Sequence, residues 1–146
     1  MIIIKEKIRA LLAAHAAKVF PNECCGFLFG NESDGQQRTI REIMIVDNSK
    51  PGDKTRRFEI SPLDYINAEK YALDNQLQLL GVYHSHPKHP AIPSEQDRIA
   101  AQPYFSYLII SIQNPETISF RSWRLNESEQ FDEEMIRDNQ LTKKIK

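Results

Sequence analysis

The sequence predicts an α/β fold in which a mixed central β-sheet is flanked by helices. Helical and strand-like patterns alternate along the chain, and the two late strands are joined by only a short turn. The length of 146 residues is that of one domain. A chain of this size buries about 68–70% of its unfolded surface, so folding requires no disulfide or metal.

The first part of the chain predicts a helix and then a hairpin. Residues 6–20 have the periodicity of an amphipathic helix that ends at Pro21 and Asn22. The apolar residues at helical spacing are Ile8, Leu11, Leu12, Ala16 and Val19. Residues 24–30 are apolar and bounded by turn residues, as in a buried strand. Turn residues at 31–35 and β-branched residues in 38–46 complete the predicted hairpin.

The middle of the chain predicts a second helix and a central strand. Residues 58–60 are predicted as a short strand. Ser61, Pro62 and Asp64 have the pattern of a helix start, and the helix is expected to extend to about residue 75. The apolar side chains expected to be buried to varying degrees are Leu63, Ile66, Tyr71 and Leu73. Residues 77–85 form a continuous apolar run, which is typical of a central strand.

The last part of the chain predicts a proline-rich loop, a short helix and a second hairpin. The loop contains Pro87, Pro90 and Pro93, and residues 94–101 are predicted to be helical. Residues 104–112 and 118–125 are predicted to pair across a turn at Asn114 and Pro115. We expect one domain over residues 1–136 and a polar tail over 137–146.

The composition argues against nucleic acid as a partner and against a location in the membrane. Apolar residues make up 40% of the chain and charged residues 27%, as in ordinary globular proteins. A net charge of −1 gives little attraction to phosphate backbones, so nucleic acid is not expected as a main partner. No apolar run is long enough for a membrane span or a signal peptide. Cys24 and Cys25 are adjacent and cannot form a disulfide framework, which favours a reducing cytoplasm. The oligomeric state stays open.

Two short motifs carry most of the chemical information. They read His84-Ser85-His86-Pro87 and Ser94-Glu95-Gln96-Asp97. Side chains at i and i+2 of an extended chain point to the same side, so both histidines can face one point at a strand end. The next helix offers Asp97 in its first turn. Two imidazoles, one carboxylate and an open position match a catalytic zinc site, where zinc lowers the pKa of bound water to about 7.

Each motif also has an ordinary structural interpretation. Ser-x-x-Asp is a common helix cap, and His-x-His is often no more than a surface pair. The combination at a fixed distance is far more specific than either part, and it predicts the metal site.

The matched residues resemble the motif of the JAMM (MPN-plus, Mov34/PAD-1) metallopeptidase family. That motif is His-x-His-Pro followed by Ser-x-x-Asp, with a glutamate far upstream that falls on Glu23. The N-terminal helix, the segment around Glu23 and residues 120–124 look most like the compact bacterial members. Those members include peptidases that act on the C-termini of ubiquitin-like sulfur-carrier proteins. The resemblance covers nearly the whole domain and implies a cytidine-deaminase-like sheet.

The resemblance implies a role for each matched residue. Zinc would be held by His84, His86 and Asp97, with water in the fourth place. Glu23 would act as the general base, and Ser94 would hydrogen-bond the oxyanion. The implied reaction is hydrolysis of the amide bond after the C-terminal glycine of a ubiquitin-like or sulfur-carrier protein with a Gly-Gly tail. An extended tail of this kind would bind an exposed strand edge.

Three other functions are alternatives to the metallopeptidase function. The first is a non-catalytic binding or scaffold module of the same fold. The second is a RadC-like JAB protein, although the spacer between the two motifs differs from the RadC type. The third, a nucleoside deaminase, is disfavoured because the Pro-Cys-x-x-Cys ligands are missing.

Several other residues invite a functional interpretation that we do not favour. Cys24 and Cys25 lie in an apolar strand, where thiols are usually buried and inert. We expect His15 to pack on the first helix, and Phe120 and Trp123 to pack on a strand. His89 and the basic loop of Lys54, Arg56 and Arg57 are expected to be solvated. Contact of either with substrate stays open.

Overall fold

A mixed β-sheet forms the centre of the molecule, which the computed structural model describes over residues 1–34 and 37–138. In chain order the elements of these residues are β1 (Ile2–Ile3), α1 (Glu6–Val19), β2 (Cys25–Ser33), β3 (Gln37–Val46), α2 (Pro62–Asp74), β4 (Gln78–Pro87), α3 (Glu95–Ala100), β5 (Ser106–Asn114), β6 (Thr117–Leu125), β7 (Phe131–Glu134) and β8 (Ile136–Arg137).

The order of the strands places β4 near the middle of the sheet. The sheet runs β7-β6-β5-β4-β2-β3-β1-β8. β4 pairs antiparallel with β2 and parallel with β5, so hydrogen bonds hold it on both sides. The predicted mixed sheet with flanking helices is confirmed. The parallel pair of β4 and β5 needs a crossover connection, and that connection contains α3.

The two faces of the sheet are covered by different helices. α1 buries Ile8, Leu12 and Ala16 against one face, together with Leu80 and Tyr83 of β4 and Leu108 of β5. α2 buries Ala68 and Ala72 against the other face, together with Phe27, Phe29 and Val82. Val82 and Tyr83 are neighbours on β4 and point to opposite faces, as the pleat requires. Among the described residues, no helix is long and apolar enough to cross a bilayer.

The buried face of α2 differs from the prediction. Leu63, Ile66 and Leu73 are 63%, 60% and 80% exposed, and the helix contacts the sheet through its alanines instead. Small side chains let a helix backbone lie close to a sheet of aromatic residues. The prediction instead rested on the larger apolar residues of the sequence. Leu11, one of the apolar residues at helical spacing in α1, is also 47% exposed.

The predicted short strand at residues 58–60 is not a strand. Its backbone bonds to a neighbouring loop and not to the sheet. The Glu59 carbonyl accepts from the Ser49 N–H at 2.9 Å, and the Glu59 N–H donates to the Asn48 side chain at 3.1 Å. The apolar pattern reflected packing on the sheet, because Ile60 is buried and Phe58 is partly buried.

Three short strands were missed. β1 and β8 have two residues each and β7 has four, which is too short for a recognisable alternation. Arg137 of the predicted tail belongs to β8, which pairs with β1. Residues 139–146 lie outside the described part of the chain, so the boundary at 136 stays a prediction. Gly35 of the predicted turn also lies outside it.

Candidate metal centre

β4 carries two histidines to one face at its carboxyl end. His84 is 1% exposed and His86 is 8% exposed. His84 lies two residues after Val82 and therefore on the face that α2 covers. The backbone of His84 is paired with both β2 and β5, and that of His86 is paired with β5, so the sheet holds both imidazoles in place.

Asp97 reaches the histidines from the first turn of α3. The Ser94 hydroxyl oxygen accepts from the Asp97 N–H at 3.1 Å, and Asp97 Oδ2 accepts from the Ser94 N–H at 2.9 Å. These two bonds form a capping box. The helix cap and the candidate metal ligand therefore involve the same residues, because the capping bonds orient the Asp97 carboxylate.

Three candidate ligand atoms meet at one point. Asp97 Oδ2 lies 3.3 Å from His84 Nε2 and 3.2 Å from His86 Nε2, and the two nitrogens are 3.1 Å apart. His84, His86 and Asp97 form the group of possible metal ligands found in the described residues. Two imidazole nitrogens and one carboxylate oxygen are a donor set that zinc accepts, so the residues fit the predicted ion.

The two rings are oriented by different contacts. His86 Nδ1 lies 2.9 Å from the Pro90 carbonyl oxygen, and donation there leaves Nε2 free to bind a metal. The His84 ring is stacked on Phe58, with centroids 4.3 Å apart and an interplanar angle of 21°. Buried His84 Nδ1 has no hydrogen-bond partner within residues 1–34 and 37–138. The His84 ring is therefore oriented by stacking on Phe58, whereas the His86 ring is oriented by a hydrogen bond.

The charges of the three groups are complementary. Burial alone would raise the pKa of Asp97, but the two histidines and the Ser94 N–H hold it well below its usual range. Burial lowers the pKa of His84, against the attraction of Asp97. Burial would also lower the pKa of His86, yet Asp97 and the Pro90 carbonyl raise it. The carboxylate is thus ionised beside two rings, one of which resists protonation.

Glu23 lies on the wall of the same cavity. It is 7% exposed, lies two residues before the start of β2, and is held through its backbone by the neighbouring loop. Its N–H donates to the Lys54 carbonyl at 2.7 Å, and its carbonyl accepts from Asn48 Nδ2 at 3.1 Å. Burial raises the pKa of Glu23 to about 8, whereas the charge of His86 acts in the opposite direction. An acid in this environment is neither a surface charge nor a permanently ionised group.

One cavity of about 520 Å³ contains all five predicted site residues. Glu23, His84, His86, Ser94 and Asp97 share it with an apolar wall of Phe58, Ile60, Tyr65, Val82 and Tyr107. The site therefore has room for a substrate beside the candidate ligands.

Sequence reasoning missed two residues that hold Glu23 in place. Ser85 is fully buried, and its hydroxyl oxygen accepts from the Cys24 N–H at 2.8 Å. The Ser85 N–H in turn donates to the Cys24 carbonyl at 3.1 Å. Asn48 bonds the Glu23 carbonyl from another loop. The position of Ser85 between two candidate ligands was a usable signal, but Asn48 had none.

The cysteines and His15 are placed as predicted. Both cysteines are buried and free, and burial raises the pKa of Cys24 to about 11 and of Cys25 to about 12. Such thiols are poor nucleophiles. His15 is buried on α1, where its Nδ1 lies 2.8 Å from the hydroxyl oxygen of Tyr83.

The remaining candidates lie at the rim of the site. His89 is exposed, as predicted, and lines the cavity. Arg56 and Arg57 are exposed and line the cavity together with half-buried Lys50, whereas Lys54 is not on its wall. Phe120 and Trp123 are partly buried on β6, and Trp123 Nε1 donates to the Ala91 carbonyl at 3.0 Å.

Comparisons with known proteins agree with this geometry. The model of a family described as prokaryotic homologs of the JAB domain matches residues 5–126. CysO-cysteine peptidase from Mycobacterium tuberculosis is 25% identical over 126 residues, which are 86% of this chain and 83% of the relative. Desampylase from Pyrococcus furiosus is 27% identical over 137 residues, which are 93% of this chain and 89% of the relative.

Solved structures show the same architecture. A Desulfitobacterium hafniense protein is 33% identical with a TM-score of 0.83, over 93% of this chain and 91% of that one. A JAB1/MPN domain protein from Archaeoglobus fulgidus is 15% identical with a TM-score of 0.53, over 88% of this chain and 90% of that one. At that identity the second likeness shows the fold alone.

Proposed function

The chain belongs to the family of prokaryotic JAB-domain homologues, and we propose that it is a zinc-dependent peptidase acting on a ubiquitin-like carrier protein. The scissile bond is the amide after the carrier's C-terminal glycine. The observation that carries this proposal is the convergence of His84, His86 and Asp97 in one cavity with Glu23. The names of the two relatives, a CysO-cysteine peptidase and a desampylase, support cleavage of carrier conjugates.

Zinc is the ion that this donor set favours. His84 Nε2, His86 Nε2 and Asp97 Oδ2 would hold it, and the ion would supply Lewis acidity that activates water at neutral pH. Because the ligands come from β4 and from the cap of α3, both elements must be folded for the ion to bind.

The protein's own side chains then move the proton and receive the developing charge. Glu23 takes a proton from the attacking water and passes it to the leaving nitrogen as the carbon–nitrogen bond breaks. Ser94 Oγ already accepts from the Asp97 N–H, so its hydroxyl proton is free to donate to the carbonyl oxygen. The products are a carrier carboxylate and a free amine.

The carrier's Gly-Gly tail enters through the cavity. The edge strands of the sheet are β7 and β8, whereas β4 is bonded to β2 as far as Ser85 and to β5 as far as Pro87. Since the edge strands lie at the two ends of the sheet and the histidines lie on β4 near its middle, we assign binding of the tail to the loops at the cavity rim. We place the reaction in the cytoplasm, since both cysteines are free thiols.

The test is cleavage of a Gly-Gly-ended carrier that has been extended at its C-terminus. Zinc-loaded wild-type protein should cut after the second glycine, and mass spectrometry would identify the product. Glu23→Gln should keep its zinc and its fold while losing about 100-fold or more in kcat. Glu69→Gln, on the exposed side of α2, is the matched control and should be unaffected. Zinc binding without cleavage of any carrier conjugate would favour the binding-module alternative.

A further inference from the structure

Three cations line the same cavity as the candidate metal ligands. Lys50, Arg56 and Arg57 lie on its wall, and none forms an ion pair within the described residues. The exposed Asp53 carboxylate accepts from the Thr55 N–H at 2.9 Å and lies beside the three cations, where its hydrogen bonds with Thr55, and also the charge of Arg56, lower its pKa. Glu59 is the exposed acid on that wall. The rim therefore has an excess of positive charge facing the cavity.

The loop that carries these cations is fixed against Glu23. Asn48 Nδ2 donates to the Glu23 carbonyl at 3.1 Å and to the Arg57 carbonyl at 3.0 Å. Asn48 Oδ1 accepts from the Lys50 N–H at 3.0 Å. The Asn48 side-chain amide thus connects the backbone of Glu23 to the backbone of the loop at Lys50 and at Arg57. The charge of Arg57 also acts on Glu23, lowering the pKa that burial raises.

The chemistry of the leaving amine determines whether a negative charge would lie near these cations. In an amino acid joined through its α-amino group, the α-carboxylate is two bonds from the scissile nitrogen. In a lysine side-chain conjugate, an alkyl chain occupies that position and has no charge. A guanidinium suits the planar carboxylate geometrically and electrostatically.

We propose that Arg57, assisted by Lys50 and Arg56, is a specificity subsite for the free α-carboxylate of a single amino acid attached to the carrier. This inference rests on the proposed peptidase function and names its leaving group. Water adds to the glycine carbonyl carbon and the carbon–nitrogen bond breaks. The amino nitrogen gains the proton, and a free amino acid leaves without any further reactant.

The experiment compares two forms of one carrier with the zinc-loaded protein. Each form has a single alanine after Gly-Gly, ending either in a carboxylate or in a carboxamide. We expect kcat/KM to be about tenfold or more higher for the carboxylate. Arg57→Gln should lose this advantage by slowing the carboxylate form more than the carboxamide form, and the carboxamide form measures any effect of the lost charge on Glu23. Arg41 is an exposed residue of β3, and Arg41→Gln removes the same charge elsewhere and should preserve the advantage.

Binding provides a readout that does not depend on turnover. Glu23→Gln should bind the carboxylate form more tightly than the carboxamide by calorimetry, and Glu23→Gln with Arg57→Gln should bind both equally.

The other outcomes overturn the inference in distinguishable ways. Equal cleavage of both forms by the wild type would leave the peptidase function standing without this specificity. Equal slowing of both forms by Arg57→Gln would overturn the subsite and leave Arg57 a role that does not depend on the leaving group, through Glu23 or through the carrier's surface. If neither form is cleaved, the proposed function fails and this inference fails with it.

Discussion

The stability of the fold depends on the protonation of His15, which is buried in contact with Tyr83. Tyr83 has room to reach α1 because its strand neighbour is Gly26, where an added Cβ would lie 2.5 Å from the tyrosine ring. Burial first, and the charge of Lys18 second, lower the pKa of His15 below 6.5. The folded protein therefore keeps this imidazole neutral at a pH where the unfolded chain protonates it.

We expect the free energy of unfolding to fall as the pH decreases below about 6.5, since the unfolded chain then binds the extra proton. His15 adds a slope of up to about 1.4 kcal/mol per pH unit. His15→Gln should lose this contribution and show a flatter pH dependence. Urea unfolding of both proteins between pH 5 and pH 8, in the same metal state, measures it. Parallel curves would show that His15 does not titrate on unfolding.

Single residues also show how far sequence can predict a site. His84, His86, Ser94 and Asp97 were predicted from motif spacing and Glu23 from the family resemblance, and the fold brings all five into one cavity. Asn48 and Phe58 support that site from a loop with no regular pattern. Their contacts depend on how the loop folds over the sheet, which the spacing of residues does not encode.

At the scale of elements, one serine joins the ends of two strands. The regular pairing of β2 and β4 reaches Cys25 and His84, and Ser85 then extends it by two bonds to Cys24. These bonds fix the residue that precedes Cys24, which is Glu23, relative to the strand of both histidines. Ser85 is therefore a positioning residue for the proposed reaction.

Ser85→Ala should destabilise the protein by about 1–3 kcal/mol, because the Cys24 N–H loses its acceptor. It should also lower kcat with zinc content unchanged, and Ser85→Thr should restore part of the activity. Ser122→Ala is the matched control: Ser122 is fully buried too, and its hydroxyl donates to Glu134 at 2.9 Å on β7. That control should lose stability alone. Equal kcat in both alanine variants would limit Ser85 to a structural role.

The elements themselves were predictable to different degrees. The longer strands and all three helices were predicted from periodicity and capping residues, because those signals are local. The buried side of α2 was not, since contact through Ala68 and Ala72 depends on the aromatic residues of the facing sheet. The strands β1 and β8 require a partner from the opposite end of the chain.

Over the whole molecule, the proposed ion would join two elements that are otherwise separated by a loop. The three ligands lie on β4 and at the start of α3. Since only the folded chain brings them together, binding adds directly to the stability of the fold.

Zinc at about 100 times its Kd should therefore add about 2.7 kcal/mol and raise Tm by about 5–10 °C. Calorimetry with added zinc and with excess chelator measures the difference. Asp97→Ala should remove most of the shift, and elemental mass spectrometry should find far less than the one zinc per chain expected for the wild type. An equal shift in both proteins would place the ion elsewhere.

The single tryptophan of the chain gives this protein an internal optical reporter. Trp123 on β6 donates to the carbonyl of Ala91, in the segment that joins His86 to α3. That hydrogen bond couples the indole to the backbone between the first two ligands and the third. Emission from Trp123 should therefore follow metal loading or carrier docking in real time, without any attached dye.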